Sequence, residues 1–536
     1  MGKIRQAQDH TGLESQSPLE WPPAVVERHP AYRGKNLLGW MEGKKAMHSS
    51  LAIDIGAGSG RVVRGTWNEG RLHLEELHRF ENKTVFQDGH ERWDVERLFV
   101  EVCEGLKRAA RHPPFPDSIG VDTWGVDFAL LNKGGQRLEL PVTYRDARTE
   151  GMMGVFFRRV PKEEIFRKTG IQFLGFNTLY QLFALALSNP SLLGKAETLL
   201  LIPDYLNYRL TGVRTSEFTN ATTTQLFNFT ARQWDTDLIA ALGADPGLFP
   251  DPVEPGTEIG MLRSDLQRLT GLPPIPVIAP ATHDTASAVA AVPAEGRDWA
   301  FISAGTWCLM GMEKEEPVTS EAAMAYNFSN EGGICGTWRL LKNLAGLWLV
   351  RGLKESLGTK LSFAEIEEAA SQAAPFRSIV YGDDTRFFHP PSMKEAFDSF
   401  CRETGQPCPD TAGAYVRSAL EGLAFLYREV LEELAEIQEQ PIRRIHMIGG
   451  GSRNRLMCQF CADATGLPVF AGPAEATAAG NALVQAMALG RIPNLATARK
   501  IIADSMENEE YYPTRQSEWS AAWKRFLAVR ESRHAT

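Results

Sequence analysis

The chain has 536 residues, about three times the length of a typical domain, which favours two domains over one. Its 43% hydrophobic and 23% charged residues are typical of a folded globular protein, and its net charge of −9 argues against general affinity for nucleic acid or an anionic membrane. No segment approaches 18 consecutive apolar residues, so no membrane-spanning helix is expected.

The first 49 residues lack the apolar core of a signal peptide and show no lasting periodicity. We predict a disordered extension, or a start assigned too far upstream, with the folded unit beginning near residue 50. From there, short strands alternate with glycine-rich turns. The elements predicted for residues 50–292 are a hairpin over 51–64, a helix over 95–110, strands over 118–131, helices over 178–188 and 201–211, and a strand, turn and helix start over 276–290.

The pattern breaks near residues 292–297 and then starts again, so we place a domain boundary there. Residues 300–310 repeat the strand, glycine turn and strand of residues 51–64, which suggests that the two halves share an ancestor. The second domain is predicted to cover 293–515, and a helical tail 516–536. Its later elements are a long amphipathic helix over 411–438, a strand over 442–448 and a helix over 453–464.

The seven cysteines are few and odd in number, which is typical of a reducing, cytoplasmic setting. Only Cys458 and Cys461 form a C-x-x-C pair, and no second pair or histidine cluster completes a metal site. We interpret the pair as two buried thiols on one face of a helix.

The first hairpin carries three glycines, Gly56, Gly58 and Gly60. A dinucleotide fingerprint would need a helix directly after them, whereas a second strand follows, and the P-loop pattern is absent from the sequence. A glycine-rich hairpin still offers successive backbone N–H groups to phosphate oxygens. Asp54 lies in the apolar strand before the turn, where a carboxylate is costly without a cation, so we assign it to Mg²⁺ through water; the alternative is that it caps its own turn.

Two further turns could hold phosphate groups. Ser303-Ala-Gly-Thr306 offers the Thr306 hydroxyl, and Gly449-Gly450-Gly451 precedes a helix whose N-terminus could face a phosphate or ribose. Taken alone, each is better explained as an ordinary tight turn. Between them and the hairpin, His283-Asp284-Thr285 places one carboxylate in a small-residue turn after an apolar strand. This pattern indicates a base that takes a proton from a substrate hydroxyl.

The order of these motifs resembles the FGGY carbohydrate kinases, which belong to the actin, Hsp70 and sugar-kinase superfamily. The resemblance covers about residues 50–515, and within the family it is closest to kinases of L-rhamnulose. The supporting stretches lie over residues 122–128, 144–149, 176–181, 220–225, 305–307, 330–333 and 341–343.

The resemblance implies an α/β fold in which two ribonuclease-H-like domains flank a deep cleft, with ATP, Mg²⁺ and the sugar between them. It implies transfer of the ATP γ-phosphate to L-rhamnulose, giving L-rhamnulose 1-phosphate and ADP, with Asp284 as the proton acceptor. The family's sugar contacts correspond to Gly125, His283, Thr285 and Asn343. Its nucleotide contacts correspond to Ala57, Gly58, Ser59, Gly60, Arg61, Thr306 and Gly450. Arg351 stands where an amide is expected, so its role stays open.

Other functions remain open at this point. The substrate could be another ketose or polyol, such as L-fuculose or D-xylulose, because one inverted hydroxyl alters only a few contacts. A rival from another class is an ATP-binding switch of the actin or Hsp70 type, which the carboxylate in its His-Asp-Thr setting argues against. No nucleic-acid or membrane partner is expected. The sequence leaves the oligomeric state open, and a monomer is compatible with it.

Several cleft-side candidates have two interpretations. Trp124, Trp307 and Trp348 could stack on a sugar or pack in the core, and Asp127 could face the sugar or end a strand. His446 lies in an apolar strand and is interpreted as a core histidine with its hydrogen bonds satisfied.

Overall fold

A computed structural model describes residues 48–388, 390–438 and 440–534 of the chain. The predicted N-terminal extension lies outside these residues, apart from its last two positions, which belong to the first strand.

In chain order, the strands are β1 (His48–Ile55), β2 (Ser59–Asn68), β3 (Arg71–Glu81), β4 (Thr84–Gln87), β5 (His90–Trp93), β6 (Ser118–Thr123), β7 (Phe128–Leu131), β8 (Thr198–Leu201), β9 (Ser216–Glu217), β10 (Phe227–Asn228), β11 (Gln233–Trp234), β12 (Pro252–Val253), β13 (Glu258–Met261), β14 (Pro276–Ile278), β15 (Trp299–Ala304), β16 (Cys308–Lys314), β17 (Ser329–Gly332), β18 (Trp338–Leu344), β19 (Arg444–Ile448), β20 (Val469–Ala471) and β21 (Glu509–Tyr511).

The α-helices begin and end close to the predicted positions wherever one was predicted. In chain order they are α1 (Val95–Ala109), α2 (Met152–Phe156), α3 (Lys162–Thr169), α4 (Thr178–Ser188), α5 (Pro190–Leu193), α6 (Ile202–Thr211), α7 (Phe218–Ala221), α8 (Thr236–Leu242), α9 (Ser264–Thr270), α10 (Asp284–Ala290), α11 (Glu321–Ala325), α12 (Trp348–Ser356), α13 (Phe363–Gln372), α14 (Met393–Glu403), α15 (Ala412–Ile437), α16 (Arg455–Thr465), α17 (Ala476–Ala488), α18 (Leu495–Ser505) and α19 (Gln516–His534). Within the described part of the chain, none of them is both long and apolar enough to cross a membrane.

Two mixed sheets organise the molecule. The first has the strand order β13-β14-β6-β1-β2-β3, and the second has the order β17-β18-β16-β15-β19-β20-β21. In each, a three-stranded antiparallel meander continues into two parallel strands: β3-β2-β1 into β6 and β14, and β18-β16-β15 into β19 and β20. The predicted α/β fold with two ribonuclease-H-like halves is confirmed. The boundary proposed at residues 292–293 falls between α10 and β15.

The hydrophobic cores follow the two sheets only in part. One cluster contains the buried side chains of β1, β6 and α1, with Ile53, Val121 and Leu106 fully buried. The larger cluster combines the second sheet with the segment from residue 128 to 249, which lies between β6 and β14 in the sequence. Helix α19 belongs to this larger core through Trp519 and Phe526, which are both buried. The long insertion of the first half is therefore packed together with the second half.

Helix α17, which belongs to the second half, lies on the first sheet through a buried polar seam. The Gln485 side chain accepts a hydrogen bond from Ser118 Oγ at 2.7 Å, and the Asn481 amide donates to Asp122 Oδ2 at 2.5 Å. Gly120 makes room for them, because a Cβ atom there would lie 2.6 Å from Asn481 Oδ1. Burial and the nearby charge of Asp54 raise the pKa of Asp122 well above its ordinary value. This seam holds the two halves together beside the cleft.

Candidate active site

A cavity of about 390 Å³ lies between the two halves. It is bounded by the β1–β2 turn, the start of α10, the β15–β16 turn and the glycines after β19. Most of the residues proposed from the sequence line this cavity: Asp54, Ala57, Ser59, Arg61, Gly125, His283, Asp284, Thr285, Thr306, Asn343 and Gly450. Gly58 and Gly60 do not line it.

The β1–β2 turn is held by backbone and amide contacts. The Gly56 N–H donates to Ser59 O at 2.9 Å, and the Asn82 side chain donates to Gly56 O at 3.0 Å. Gly60 has a packing role, because a Cβ atom there would lie 2.4 Å from the Phe80 ring. Gly58 lies at the exposed tip, where a Cβ atom would lie 3.7 Å from Arg351 Nη1. Arg351, whose role was left open, therefore reaches this turn from the second half.

Asp54 is paired with Arg61 at the end of the hairpin. The Arg61 Nε and Nη2 atoms donate to Asp54 Oδ2 at 2.9 and 2.7 Å. The same guanidinium contacts the carboxylate of Glu475, the residue before α17, and Glu475 also accepts from Arg453 Nη2 at 2.7 Å. A chain of alternating charges thus crosses the cleft from the β1–β2 hairpin to the turn after β19.

Asp284 begins α10, and a buried carboxylate holds the turn before it. Glu217 Oε2 accepts hydrogen bonds from the Thr282 N–H at 3.0 Å and from its hydroxyl at 2.6 Å. The Thr285 hydroxyl donates to Asp284 Oδ1 at 3.2 Å, and His283 Nε2 lies 3.6 Å from the same oxygen. The His-Asp-Thr side chains predicted to act together therefore do lie together.

The environment of Asp284 suits a general base. Its side chain is 28% exposed, so a ligand in the cavity can reach it. Burial between the halves raises its pKa, the neighbouring His283 opposes that shift, and the charge of Asp54 adds to it. A raised pKa makes this carboxylate a stronger proton acceptor than an exposed one.

Two hydrogen-bonded corners complete the wall of the cavity, one at Gly125 and the other at Asn343. Gly125 faces Thr223, whose hydroxyl accepts from the Val126 N–H at 3.3 Å. Gln172 Oε1 accepts from both the backbone N–H and the side-chain amide of Asn343, at 2.8 and 3.0 Å. The Asn343 side chain is thereby oriented, and Gln172, which sequence reasoning missed, lines the cavity beside it.

The turns of the second half are packed closely behind the cavity. A Cβ atom at Gly451 would lie 2.6 Å from the Ala304 side chain, whereas one at Gly450 would meet nothing within 4 Å. The expected helix after these glycines begins later, because a 3₁₀ turn (Gly450–Arg453) intervenes and the Asn454 side chain caps α16. Gly450 therefore offers its backbone from a tight turn and not from a helix N-terminus.

An aromatic wall lines one side of the cavity with Trp124, Tyr144, Phe176 and Trp307. The Trp307 indole N–H donates to the Tyr144 hydroxyl at 3.2 Å, so the wall bridges the two halves. Trp348 does not line the cavity; it packs on Trp307 with ring centroids 4.4 Å apart.

Asp127, whose role was left open between sugar contact and strand end, is a buried anchor for this wall. Its Oδ2 atom accepts from the indole N–H groups of Trp93 and Trp124 at 2.6 and 3.0 Å. Its Oδ1 atom accepts from the Gln181 amide at 2.9 Å. It does not line the cavity.

The residues that sequence reasoning missed share one property: they are charged or amide side chains buried by long-range pairing. Examples are Glu331 and Arg339, which lie opposite each other on β17 and β18 and contact His283. A charge inside an otherwise apolar strand was the available signal, as it was for Asp54.

A magnesium ion fits this cavity only with ligands from the substrate. Among the described residues, no three His, Cys, Asp or Glu side chains converge to form a metal cage. Mg²⁺ commonly uses one or two carboxylates and completes its shell with water and phosphate oxygens. Asp54, near Asp284 in the cavity, is the carboxylate predicted from the sequence for this role, and its Oδ2 atom accepts from Arg61.

Comparison with known proteins agrees with the fold and the cavity. Residues 49–291 match the N-terminal domain of the FGGY family of carbohydrate kinases, and residues 300–489 match its C-terminal domain. The chain belongs to this family. It is therefore a phosphotransferase that uses ATP.

The similar proteins include rhamnulokinases. The rhamnulokinase of Pectobacterium atrosepticum is 44% identical over 486 residues, which are 90% of this chain and 97% of that protein. The rhamnulokinase of Bacteroides thetaiotaomicron is 45% identical over 476 residues, covering 89% and 98%. Among solved structures, a gluconate kinase from Lactobacillus acidophilus superposes with a TM-score of 0.75 at 15% identity, covering 91% of this chain and 98% of that one. This last similarity shows the shared fold.

Proposed function

We propose that this protein transfers the γ-phosphate of ATP to the C1 hydroxyl of L-rhamnulose, giving L-rhamnulose 1-phosphate and ADP. The observation that carries the proposal is Asp284, a carboxylate of raised pKa that opens onto a cavity between two sets of phosphate-type turns. The extended similarity to rhamnulokinases supports the choice of sugar.

The chemistry assigned to Asp284 is proton acceptance. A sugar hydroxyl is a poor nucleophile near neutral pH, and phosphoryl transfer passes through a loose, in-line transition state. Catalysis is then mostly positioning and charge neutralisation, with the base removing the proton as the new O–P bond forms. Thr285 keeps the carboxylate in place through its hydrogen bond to Oδ1.

The phosphate groups are assigned to the cleft-side turns. Ala57 and Ser59 of the hairpin, Thr306 and Gly450 provide backbone N–H groups and a hydroxyl to phosphate oxygens, and Arg61 supplies a positive charge. Asp54 would hold Mg²⁺ through water, and the ion would neutralise charge on the phosphates. Gly60 of the same turn packs against Phe80 and Gly58 lies at its exposed tip, and the nucleotide contact predicted for both stays a prediction.

The sugar is assigned to the side formed by Gly125, His283 and Asn343. L-rhamnulose is a 6-deoxy ketose, so one end carries the reacting hydroxyl and the other a methyl group. The aromatic wall provides an apolar surface for such a methyl group. Closure of the two halves around both substrates would keep water from the γ-phosphate.

A kinase of another ketose or polyol is the alternative. L-fuculose differs from L-rhamnulose in the orientation of one hydroxyl, which alters only a few contacts. The seven cysteines, odd in number, support a location in the cytoplasm, where ATP is available.

The test is ADP release with MgATP, measured by a coupled assay over L-rhamnulose, L-fructose, L-fuculose, D-xylulose and glycerol. We expect preference for L-rhamnulose, including over L-fructose, which differs by a hydroxyl at C6. Asp284→Asn should lower kcat by about 10²–10⁴-fold, the usual contribution of general-base catalysis. Asp265→Asn, at an exposed position of α9, is the matched control and should leave kcat unchanged.

Each outcome of this assay tests a different part of the proposal. Preference for another sugar would overturn the substrate and keep the reaction type. A near wild-type rate for Asp284→Asn would overturn the assignment of the base. No sugar-dependent turnover by a folded protein would favour the ATP-binding switch.

A further inference from the structure

Behind His283 lies a buried ion pair that the proposed reaction does not yet use. Glu331 and Arg339 are register partners on β17 and β18, and their charged ends lie 3.2 Å apart. Arg339 is fully buried, and its Nε atom donates to Gly332 O at 2.9 Å. A buried ion pair seldom adds net stability compared with apolar residues, so its presence beside the cavity calls for another explanation.

Two groups of this pair compete for one nitrogen of His283. Arg339 Nη2 lies 3.2 Å from Nδ1 in hydrogen-bonding geometry, and Glu331 Oε2 lies 3.3 Å from the same atom. The Glu331 oxygen has no hydrogen-bond partner among the residues that the structure describes, so it lies beside Nδ1 without a directed hydrogen bond to it. The directed contact at Nδ1 is therefore the one from Arg339.

A guanidinium can only donate, which decides the state of the ring. An imidazole nitrogen that accepts from Arg339 carries a lone pair and no proton. The single proton of the neutral ring then lies on Nε2, which faces the cavity and Asp284 Oδ1 at 3.6 Å.

We propose that Arg339 is a positioning residue that fixes His283 as the Nε2–H tautomer. His283 is then a hydrogen-bond donor toward the Asp284 carboxylate or an oxygen of the bound ligand, and Asp284 is the sole proton acceptor. The identity of that ligand as a sugar rests on the proposed function, whereas the tautomer does not.

The arrangement also joins the two halves of the molecule. His283 precedes α10 of the first half, and Arg339 belongs to the second sheet. The donor at Nε2 is consequently defined only when the halves lie in this relative position.

The direct test is the tautomer of His283 in the ligand-free, full-length protein. Long-range ¹H–¹⁵N correlation spectra of protein with ¹⁵N-labelled histidine report which ring nitrogen carries the proton, and His283→Gln assigns the signal. We expect the proton on Nε2. A proton on Nδ1, donated to Glu331, would overturn the proposal whatever sugar the enzyme uses.

Variants of Arg339 provide the functional readout. In Arg339→Met the donor is lost, so the proton should move to Nδ1, beside Glu331. KM for the preferred sugar should rise about tenfold, the value of one hydrogen bond, while KM for MgATP stays within about twofold. Arg339→Lys restores a donor and should recover the Nε2–H tautomer. If the Met variant does not fold, the Lys variant still tests the proposal.

The matched control is Arg417→Met. Arg417 is also buried and paired with a glutamate, Glu421, on α15, but it lies outside the cavity. It should lose stability without a change in the His283 tautomer or in the sugar KM. An unchanged tautomer in Arg339→Met, or an equal change in the control, would contradict the role of Arg339. If the wild-type protein shows the Nε2–H tautomer but no preference for L-rhamnulose in the sugar assay, only the proposed substrate would be overturned.

Discussion

Replacement of Glu217 by glutamine should damage both stability and catalysis, although Glu217 does not line the cavity. Its Oε2 atom accepts from the backbone N–H and hydroxyl of Thr282, and its Oε1 atom accepts from the Thr219 N–H at 2.9 Å. Burial raises the pKa of Glu217, and these donors act against that shift. A glutamine has only one carbonyl oxygen, so at least one of the three backbone N–H groups that donate to Glu217, those of Thr282, Thr219 and Asn220, would face an NH₂ group.

The magnitude follows from that count. One unpaired buried N–H costs about 1–3 kcal/mol, and loss of the charge weakens the remaining hydrogen bonds, so Glu217→Gln should lower the free energy of unfolding by about 2–4 kcal/mol. Because Thr282 precedes His283 and Asp284, their displacement by a fraction of an ångström should lower kcat by about 10–100-fold.

Urea denaturation and steady-state kinetics measure the two effects in the same preparation. Glu421→Gln, which alters a buried carboxylate on α15 away from the cavity, is the matched control and should lose stability but not kcat. Wild-type kcat in Glu217→Gln, at an unfolding midpoint equal to that of the wild type, would refute the reasoning.

Two predictions concern pH. Burial raises the pKa of Asp284 and the base acts only when deprotonated, so kcat/KM for the sugar should fall on the acid side with a midpoint above pH 3.8. Thr285→Val should move that midpoint to higher pH, because it removes a hydrogen-bond donor to the carboxylate. A midpoint at pH 3.8 or below would contradict this prediction. Burial lowers the pKa of His446 to about 3, so the folded state does not bind the proton that the unfolded state binds below pH 6.5. The free energy of unfolding should therefore fall by about 2 kcal/mol between pH 6.5 and pH 5. His446→Phe, which keeps the ring stack on Phe470, should remove that loss in urea denaturation at the two pH values, and an equal loss in both proteins would argue against it.

Local patterns predicted much of this structure. The hairpin around Gly56, the α10 start at Asp284 and the long helix α15 each depend on residues adjacent in sequence, and each lies within a few residues of its predicted position. The two sheets could be expected from the repeated strand, glycine turn and strand. Cys458 and Cys461 are both buried on α16, as predicted.

What the sequence did not reveal depends on register between distant segments. The contact of Arg339 with His283 requires the pairing of β17 with β18 and the placement of α10 against them, and no local pattern contains this information. His446 is buried as predicted, but neither ring nitrogen has a hydrogen-bond partner within the described part of the chain, so the prediction of satisfied hydrogen bonds was wrong. Gly60 was predicted to contact the nucleotide, and its close approach to Phe80 became visible only with β3 in place.

The position of α17 limits how this enzyme can be recombined with its relatives. A chimera that exchanges halves at residues 292–293 would bring a foreign α17 onto the native β1 and β6, and Ser118 and Asp122 of β6 would have to find matching amides on that helix. Exchange of the first half between relatives should therefore succeed only when α17 is exchanged together with the sheet on which it lies.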